Sequence, residues 1–266
     1  MNGEAAIPAV LAFAGLDPSG GAGLVADVEA VASMGCHLCP IATALTVQDS
    51  RRAYRYECVD SMLLVEQARA ILADMPVRAV KIGMLGEVAA AEVLHSLLME
   101  HPELPVVFDP VLAAGGGGSL SDDALLDAIR SLILPVTTII TPNSEEARRL
   151  APEADSLDAC AEELQSLGCE YVLITGGHEP TPEVHNTLYS GHRRLEEWTW
   201  QRLPDDYHGS GCTLSAAVAG LLAHGLEPFT ALHEAQEYTW ETLQHAYTAG
   251  AGQRLPNRLF WARGDD

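Results

Sequence analysis

The chain has 266 residues, with 37 acidic side chains against 15 basic ones and a formal charge of −22. That balance repels nucleic-acid phosphates and excludes DNA or RNA binding driven by charge alone. No apolar run is long enough to span a bilayer and the start carries no leader pattern, so the expectation is a soluble cytoplasmic protein without a membrane partner.

A hydrophobic content of 48% is ample for the core of one large α/β domain, which is expected to run over residues 1–266 with short flexible termini. In chain order, Val10 to Ala14 reads as a buried strand, followed by a glycine-rich turn and a helix over Ala22 to Met34. Strands then follow at Ile41 to Leu45, Val80 to Met84, Val106 to Pro110, Thr138 to Thr141 and Tyr171 to Thr175. Between them fall helices at Met62 to Leu72, Val88 to Met99, Asp122 to Leu134, Glu145 to Leu150 and Leu157 to Leu167. Continuous apolar strands between amphipathic helices predict a mostly parallel sheet covered on both faces. Asn186 to Tyr189 and Leu195 to Leu203 flank Ser190-Gly191-His192 and predict an antiparallel edge hairpin. Two last helices are expected at Cys212 to His224 and Pro228 to Tyr247.

The six cysteines are expected to be free thiols, and the Cys36-His37-Leu38-Cys39 spacing has no second pair to complete a metal site, which favours small buried thiols. The residues with chemistry collect after the strands, at the carboxyl edge where open sheets bind ligands. Gly15-Leu16-Asp17-Pro18-Ser19-Gly20-Gly21-Ala22-Gly23 matches neither a Walker loop nor G-x-G-x-x-G, yet it brings backbone close to a ligand at a helix start. Asp109 and the Gly115 to Gly118 run follow the fourth of these strands, and Asp109 reads equally as a cap or as a group near Mg²⁺ or phosphate. In Thr141-Pro142-Asn143-Ser144-Glu145-Glu146, the Asn143/Glu146 spacing fits a capping box and also two groups that organise water around Mg²⁺.

The most informative stretch is His208-Gly209-Ser210-Gly211-Cys212-Thr213, which runs straight into the Ala-rich pattern of a helix. It offers free backbone N–H groups at the positive end of a helix dipole, an anion site. Cys212 sits where that field favours a thiolate. Phosphoryl or acyl transfer is the expectation, with His208 placed to donate a hydrogen bond beside the anion.

Taken together and in this order, Gly15 to Gly23, Thr43-Ala44-Leu45-Thr46-Val47-Gln48, Lys81-Ile82-Gly83-Met84-Leu85, Asp109-Pro110-Val111, Thr141-Pro142-Asn143 with Glu146, Gly176-Gly177-His178 and His208 to Thr213 resemble the hydroxymethylpyrimidine/phosphomethylpyrimidine kinases of thiamine biosynthesis, members of the ribokinase-like superfamily. The resemblance runs from about residue 9 to residue 225. It implies a three-layer ribokinase-like α/β fold and ATP-dependent phosphorylation of 4-amino-5-hydroxymethyl-2-methylpyrimidine, then of its monophosphate. The implied cofactors are ATP and Mg²⁺, with K⁺ as an optional activator, and the implied assembly is a homodimer. By the same matching, Cys212 is the base, and the amides of Gly209, Ser210, Gly211 and Cys212 stabilise the transferring phosphoryl group. Gly15, Asp27, Gln48 and Met84 line the pyrimidine site, with Gln48 on the aminopyrimidine edge. Asp109, Asn143, Thr175 and Gly177 serve ATP and its phosphates, and Asp109 and Glu146 serve the metal, Glu146 through water.

Two departures stand out. Many members carry a lysine in the loop after Asp-Pro-Val and another just before Gly-Gly-His, where this chain has Ala113 to Ser119 and Thr175; Lys81 is its sole lysine. A pyridoxal/pyridoxine kinase on the same scaffold, and a non-catalytic pyrimidine-binding relative that has lost phosphate chemistry, are the alternatives.

Overall fold

In the computed structural model, residues 6–112 and 121–262 are described. The glycine run Gly115 to Gly118 and the outermost parts of the termini, 1–5 and 263–266, lie outside the described residues.

Nine strands form one sheet in the order β3-β2-β1-β4-β5-β6-β7-β8-β9. The strands are β1 (Ala9–Leu16), β2 (His37–Gln48), β3 (Ala53–Cys58), β4 (Val77–Ile82), β5 (Val106–Phe108), β6 (Ile139–Ile140), β7 (Tyr171–Ile174), β8 (Glu183–Ser190) and β9 (Arg193–Gln201). The strands from β2 through β7 pair in parallel, while β3 on one edge and β8 and β9 on the other pair antiparallel. The sheet bears out the expected mostly parallel centre and edge hairpin. β3 is an element the sequence reading lacked.

Alternation along β1 assigns the two faces. Leu11 and Phe13 point into one core with α2 (Ser61–Asp74), α3 (Val88–Met99), α4 (Asp123–Ala128), α5 (Ser144–Leu150) and α6 (Leu157–Ser166). Val10, Ala12 and Ala14 point into the other, with α1 (Gly23–Ser33), α7 (Ser210–Ala223) and α8 (Pro228–Gln244). The helix expected over Asp122 to Leu134 instead passes from α4 into a π-helical turn at Ile129–Ile133.

The second face is built from small side chains, which brings α7 close to α1: a Cβ on Gly220 would lie 2.8 Å from the Cβ of Met34. Residues Cys212 to Ala223 of α7 are all buried, so this helix is apolar all round and runs inside the molecule. Its N-terminus is thereby aimed at the carboxyl ends of β1, β4 and β5. Strand order reverses between β1 and β4, the position where open α/β sheets leave a ligand crevice. Between Ala14 and Gly15 the β1–β2 register slips by one residue, leaving Thr43 unpaired in the ladder. Its buried hydroxyl donates to the Met84 carbonyl, tying β2 to the loop after β4.

Candidate active site

The turn that opens α7 carries no side-chain cap, since Gly209 occupies the N-cap with φ +86°. A Cβ there would stand 2.0 Å from the Gly21 carbonyl oxygen, so this position combines a left-handed backbone with a contact that only glycine permits. The Gly15 to Gly23 loop and the Gly209 turn are therefore packed backbone to backbone. The first-turn amides of α7 are free of side-chain competition and can serve an anion.

Behind this turn lies a buried charged cluster. The Lys81 ammonium is fully buried and sits 3.0 Å from Asp27, which is also fully buried. Burial alone would pull Lys81 down, but the negative charge of Asp27, with Asp109 and the hydrogen bond to Asp27, holds it above its ordinary value and charged. Burial pushes Asp27 up to about 6, against the pull of Lys81. Asp109 faces the turn, with its carboxylate oxygens 3.7 and 3.8 Å from where a Cβ on Gly211 would stand. Burial raises its carboxyl, and Lys81 together with hydrogen bonds from Cys212 and Ser215 pull it back.

Cys212 corrects an expectation. Burial pushes its thiol up to about 12, with Lys81 lowering it and Asp109 and Asp27 raising it again. The resting group is a thiol that donates to Asp109, because two neighbouring carboxylates and the loss of water outweigh the helix field. Asp27 is buried and accepts a hydrogen bond from Lys81 at 3.0 Å.

On the β1–β2 side, His208 is buried and its Nε2 lies 2.7 Å from Asp17 Oδ2 and 2.9 Å from Gln48 Nε2. Asp17 also accepts from the Ser19 and Ala22 amides, at 2.8 and 3.0 Å, and so shapes the glycine loop. Burial would raise Asp17, but the bonds from His208 and Ser19 hold its carboxyl below the ordinary value. An ionised Asp17 draws the ring proton of His208 to Nε2. Gln48 thus sits against a ring nitrogen committed to Asp17, and its amide can turn to a ligand. A Cβ on Gly15 would touch Met84 Sδ at 3.1 Å, and Met84 packs with Ala44, Tyr56 and Val111. The structure therefore brings Gly15 and Met84 together, while Gln48, four residues beyond the Ala44 that pairs with Gly15, is placed by its contact with His208.

The remaining residues gather after β6 and β7. Asn143 and Thr175 face each other across a parallel bridge, and the Ser144 amide donates to the Thr175 carbonyl at 3.1 Å. Asn143 and Glu146 form the capping box of α5, so both carry a structural duty whatever else they do. The Gly177 carbonyl accepts from Arg202 at 2.7 Å, and Arg202 also gathers the carbonyls of Glu179 and Thr181. Arg149 bridges Leu112 and Ser121, the two ends of the segment outside the described residues.

Glu146 is pushed up to about 8, first by burial and then by the charge of Asp109. A buried Asp109 whose charge raises the part-buried Glu146 fits a divalent cation held near them. Among the described residues no group of three or more His, Cys, Asp or Glu could hold a metal by itself. Mg²⁺ suits such a site, because it keeps water and phosphate oxygens alongside one or two carboxylates.

A family model for phosphomethylpyrimidine kinase matches residues 17–257. The chain belongs to this family. A hydroxymethylpyrimidine/phosphomethylpyrimidine kinase of Mycobacterium tuberculosis is 36% identical over 260 residues, 95% of this chain and 94% of that one. Among solved structures, the phosphomethylpyrimidine kinase of Clostridium difficile is 28% identical with a TM-score of 0.77, covering 90% of this chain and 100% of that one. The ADP complex of a Bacillus subtilis pyridoxal kinase is 27% identical with a TM-score of 0.87, covering 97% and 99%.

For a phosphomethylpyrimidine kinase, the residues that sequence reasoning did not single out are Arg258 at the α7 turn and Arg202 on the Gly177 carbonyl. Arg258 is buried in the C-terminal tail, and its Nε donates to Thr213 Oγ1 at 2.8 Å. Arg202 lies at the end of β9. A lone arginine in a short tail and another after an edge strand carry no local signal, and only tertiary structure brings them to the site.

Proposed function

We propose that this kinase transfers the γ-phosphoryl group of Mg-ATP to the hydroxymethyl group of 4-amino-5-hydroxymethyl-2-methylpyrimidine, and then phosphorylates the monophosphate to the diphosphate. The observation that carries the reading is the uncapped α7 turn, backed by buried Lys81 and faced by Asp109, with the Gly15–Met84 contact and the His208-bound Gln48 on the β1–β2 side. Gln48 hydrogen-bonds the aminopyrimidine edge while Met84 packs on the ring face. The amides of Gly209, Ser210, Gly211 and Cys212 stabilise charge on the transferring group, which acts in the transition state. Phosphoryl transfer asks mainly for positioning and charge neutralisation.

The hydroxyl proton passes to Cys212 Sγ as the thiol hands its own proton to Asp109. One O–H and one S–H bond break, an S–H and an O–H bond form, and no free thiolate is needed. Mg²⁺, when bound, would neutralise phosphate charge; Asp109 and Glu146 would hold it, Glu146 through water. Asn143, Thr175 and Gly177 contact the nucleotide, with Arg202 keeping the Gly177 carbonyl turned away from it. K⁺ enters as an activator, checked by exchanging K⁺ for tetramethylammonium in the assay.

The reaction belongs in the cytoplasm with its ATP, carried by a single kinase domain. A homodimer is the assembly this reading favours, since Leu16, Leu45, Val47 and Tyr54 are exposed near the β2–β3 edge. No helix among the described residues is long and apolar enough to cross a membrane. The likeness to the Bacillus pyridoxal kinase motivates a second substrate, pyridoxal. Incubation of the enzyme with Mg-ATP and each alcohol in turn, with separation of products, tests the reading. Pyrimidine mono- and diphosphate are expected, and phosphorylation of pyridoxal alone would replace the pyrimidine reading by the alternative.

A further inference from the structure

Arg258 is the second of two cations buried around the α7 turn, the other being Lys81. All three guanidinium nitrogens are engaged: Nε with Thr213 Oγ1 at 2.8 Å, one terminal nitrogen with Glu29 at 3.1 Å, and the other with the Gly21 carbonyl at 2.5 Å. Its own carbonyl accepts from Ser33 and Tyr238, at 2.6 and 2.8 Å, so the tail is pinned through its backbone as well as through this side chain. The guanidinium touches both anion-facing loops at once. Gly21 belongs to the glycine loop, and Thr213 lies in the first turn of α7, with its hydroxyl on the Gly209 carbonyl at 2.8 Å. The terminal nitrogen that holds Gly21 would lie 2.9 Å from a Cβ on Gly209, which places the positive charge against the N-cap of α7.

That position is unfavourable for the fold by itself. A cation at a helix N-terminus opposes the helix dipole, and burying one costs solvation. Glu29, on the outer side and about one-third exposed, offsets part of this. The charge is well placed only when an anion occupies the turn. In a chain whose one lysine is buried on Asp27, this arginine adds a second buried cation behind the first-turn amides.

We infer that Arg258 is a positioning residue for phosphoryl transfer, locking the Gly21 loop to the α7 turn and adding its charge to the amides that receive the phosphoryl group. This rests on the kinase reading above. Arg258 acts through the backbone and does not touch substrate. It belongs to the phosphate half of the site, so its loss should leave the pyrimidine half, Gln48 and Met84, in place.

The test compares wild type with Arg258→Met and Arg258→Lys in three measurements: kcat and KM for each substrate, thermal unfolding, and calorimetric binding of Mg-ADP with and without aluminium fluoride, a mimic of the transferring phosphoryl group. Arg258→Met should lower kcat about a hundredfold with the pyrimidine KM within about threefold. It should weaken the fluoroaluminate complex far more than Mg-ADP alone, and Arg258→Lys should recover part of both. Equal kcat and fluoroaluminate affinity in folded Arg258→Met would overturn the inference. If Arg258→Met does not fold, Thr213→Val removes the Nε acceptor at constant shape; a wild-type kcat and fluoroaluminate affinity in that variant also overturns it. Wild-type enzyme that makes no pyrimidine phosphate would refute the substrate reading, while the fluoroaluminate comparison still decides on Arg258.

Discussion

At Cys212, burial and carboxylates defeat a helix dipole. The turn whose amides are free of a side-chain cap does not ionise the thiol, because the sulfur is buried beside Asp109 and Asp27. Two outcomes follow. Cys212→Ala is expected to lower kcat by about a hundredfold or more while leaving the pyrimidine KM within about threefold, as measured by steady-state kinetics. Iodoacetamide should alkylate Cys212 slowly at neutral pH, since the thiolate is the reactive form. A second residue-scale expectation concerns Glu146, whose folded pKa of about 8 stands above its ordinary value of 4.5. A folded state that binds more protons than the unfolded one loses stability as pH rises. The metal-free enzyme should therefore be most stable below roughly pH 5 as far as this group is concerned, and lose that contribution between about pH 5 and 8. Mg²⁺ binding at pH 7 should then release protons, seen as a dependence of calorimetric heat on buffer ionisation enthalpy. Glu146→Gln should abolish that part of the release.

At the scale of elements, legibility followed hydrophobic pattern. β1 has seven buried residues in succession, and α3 was read from the sequence at its observed bounds, because a continuous apolar run and a 3.6-residue stripe are local signals. β3 was missed because Ala53 to Cys58 is half exposed and rich in charged and tyrosine side chains, as an edge strand is. The π-helical turn after α4 keeps a helical pattern in sequence and differs only in hydrogen bonding. The turn into α7 was legible from its glycines, but the reason Gly209 must be glycine was not, since the Gly21 carbonyl that would clash comes from a distant loop. Gly209→Ala is expected to cost about 1–3 kcal/mol from backbone strain alone, with more from the clash. Chemical denaturation would show the loss, and kcat should fall at least in step with it. Wild-type stability in Gly209→Ala would mean that the two loops are not locked together.

For the whole molecule, the strand order and the layer arrangement place every part of the candidate site at one sheet edge. In the proposed reading, the pyrimidine side comes from β1, β2 and the loop after β4, the phosphate turn from α7, and the nucleotide side from the ends of β6 and β7. Most of these residues were legible as an ordered set of motifs. What was not legible was the proposed substitute for the absent lysines. A chain of net charge −22 sets Asp17, Asp109 and Glu146 around the candidate site. The proposal is that buried cations offset them, Lys81 from the sheet and Arg258 from the tail, 46 residues beyond Cys212 in sequence. The second phosphorylation is the harder demand on that arrangement, because its acceptor is itself an anion. The most direct measurement is therefore a time course of products from 4-amino-5-hydroxymethyl-2-methylpyrimidine and Mg-ATP, separated by ion-exchange chromatography. The expected result is monophosphate that rises and is then converted to diphosphate. Absence of both products from the folded enzyme with Mg-ATP would contradict the assignment.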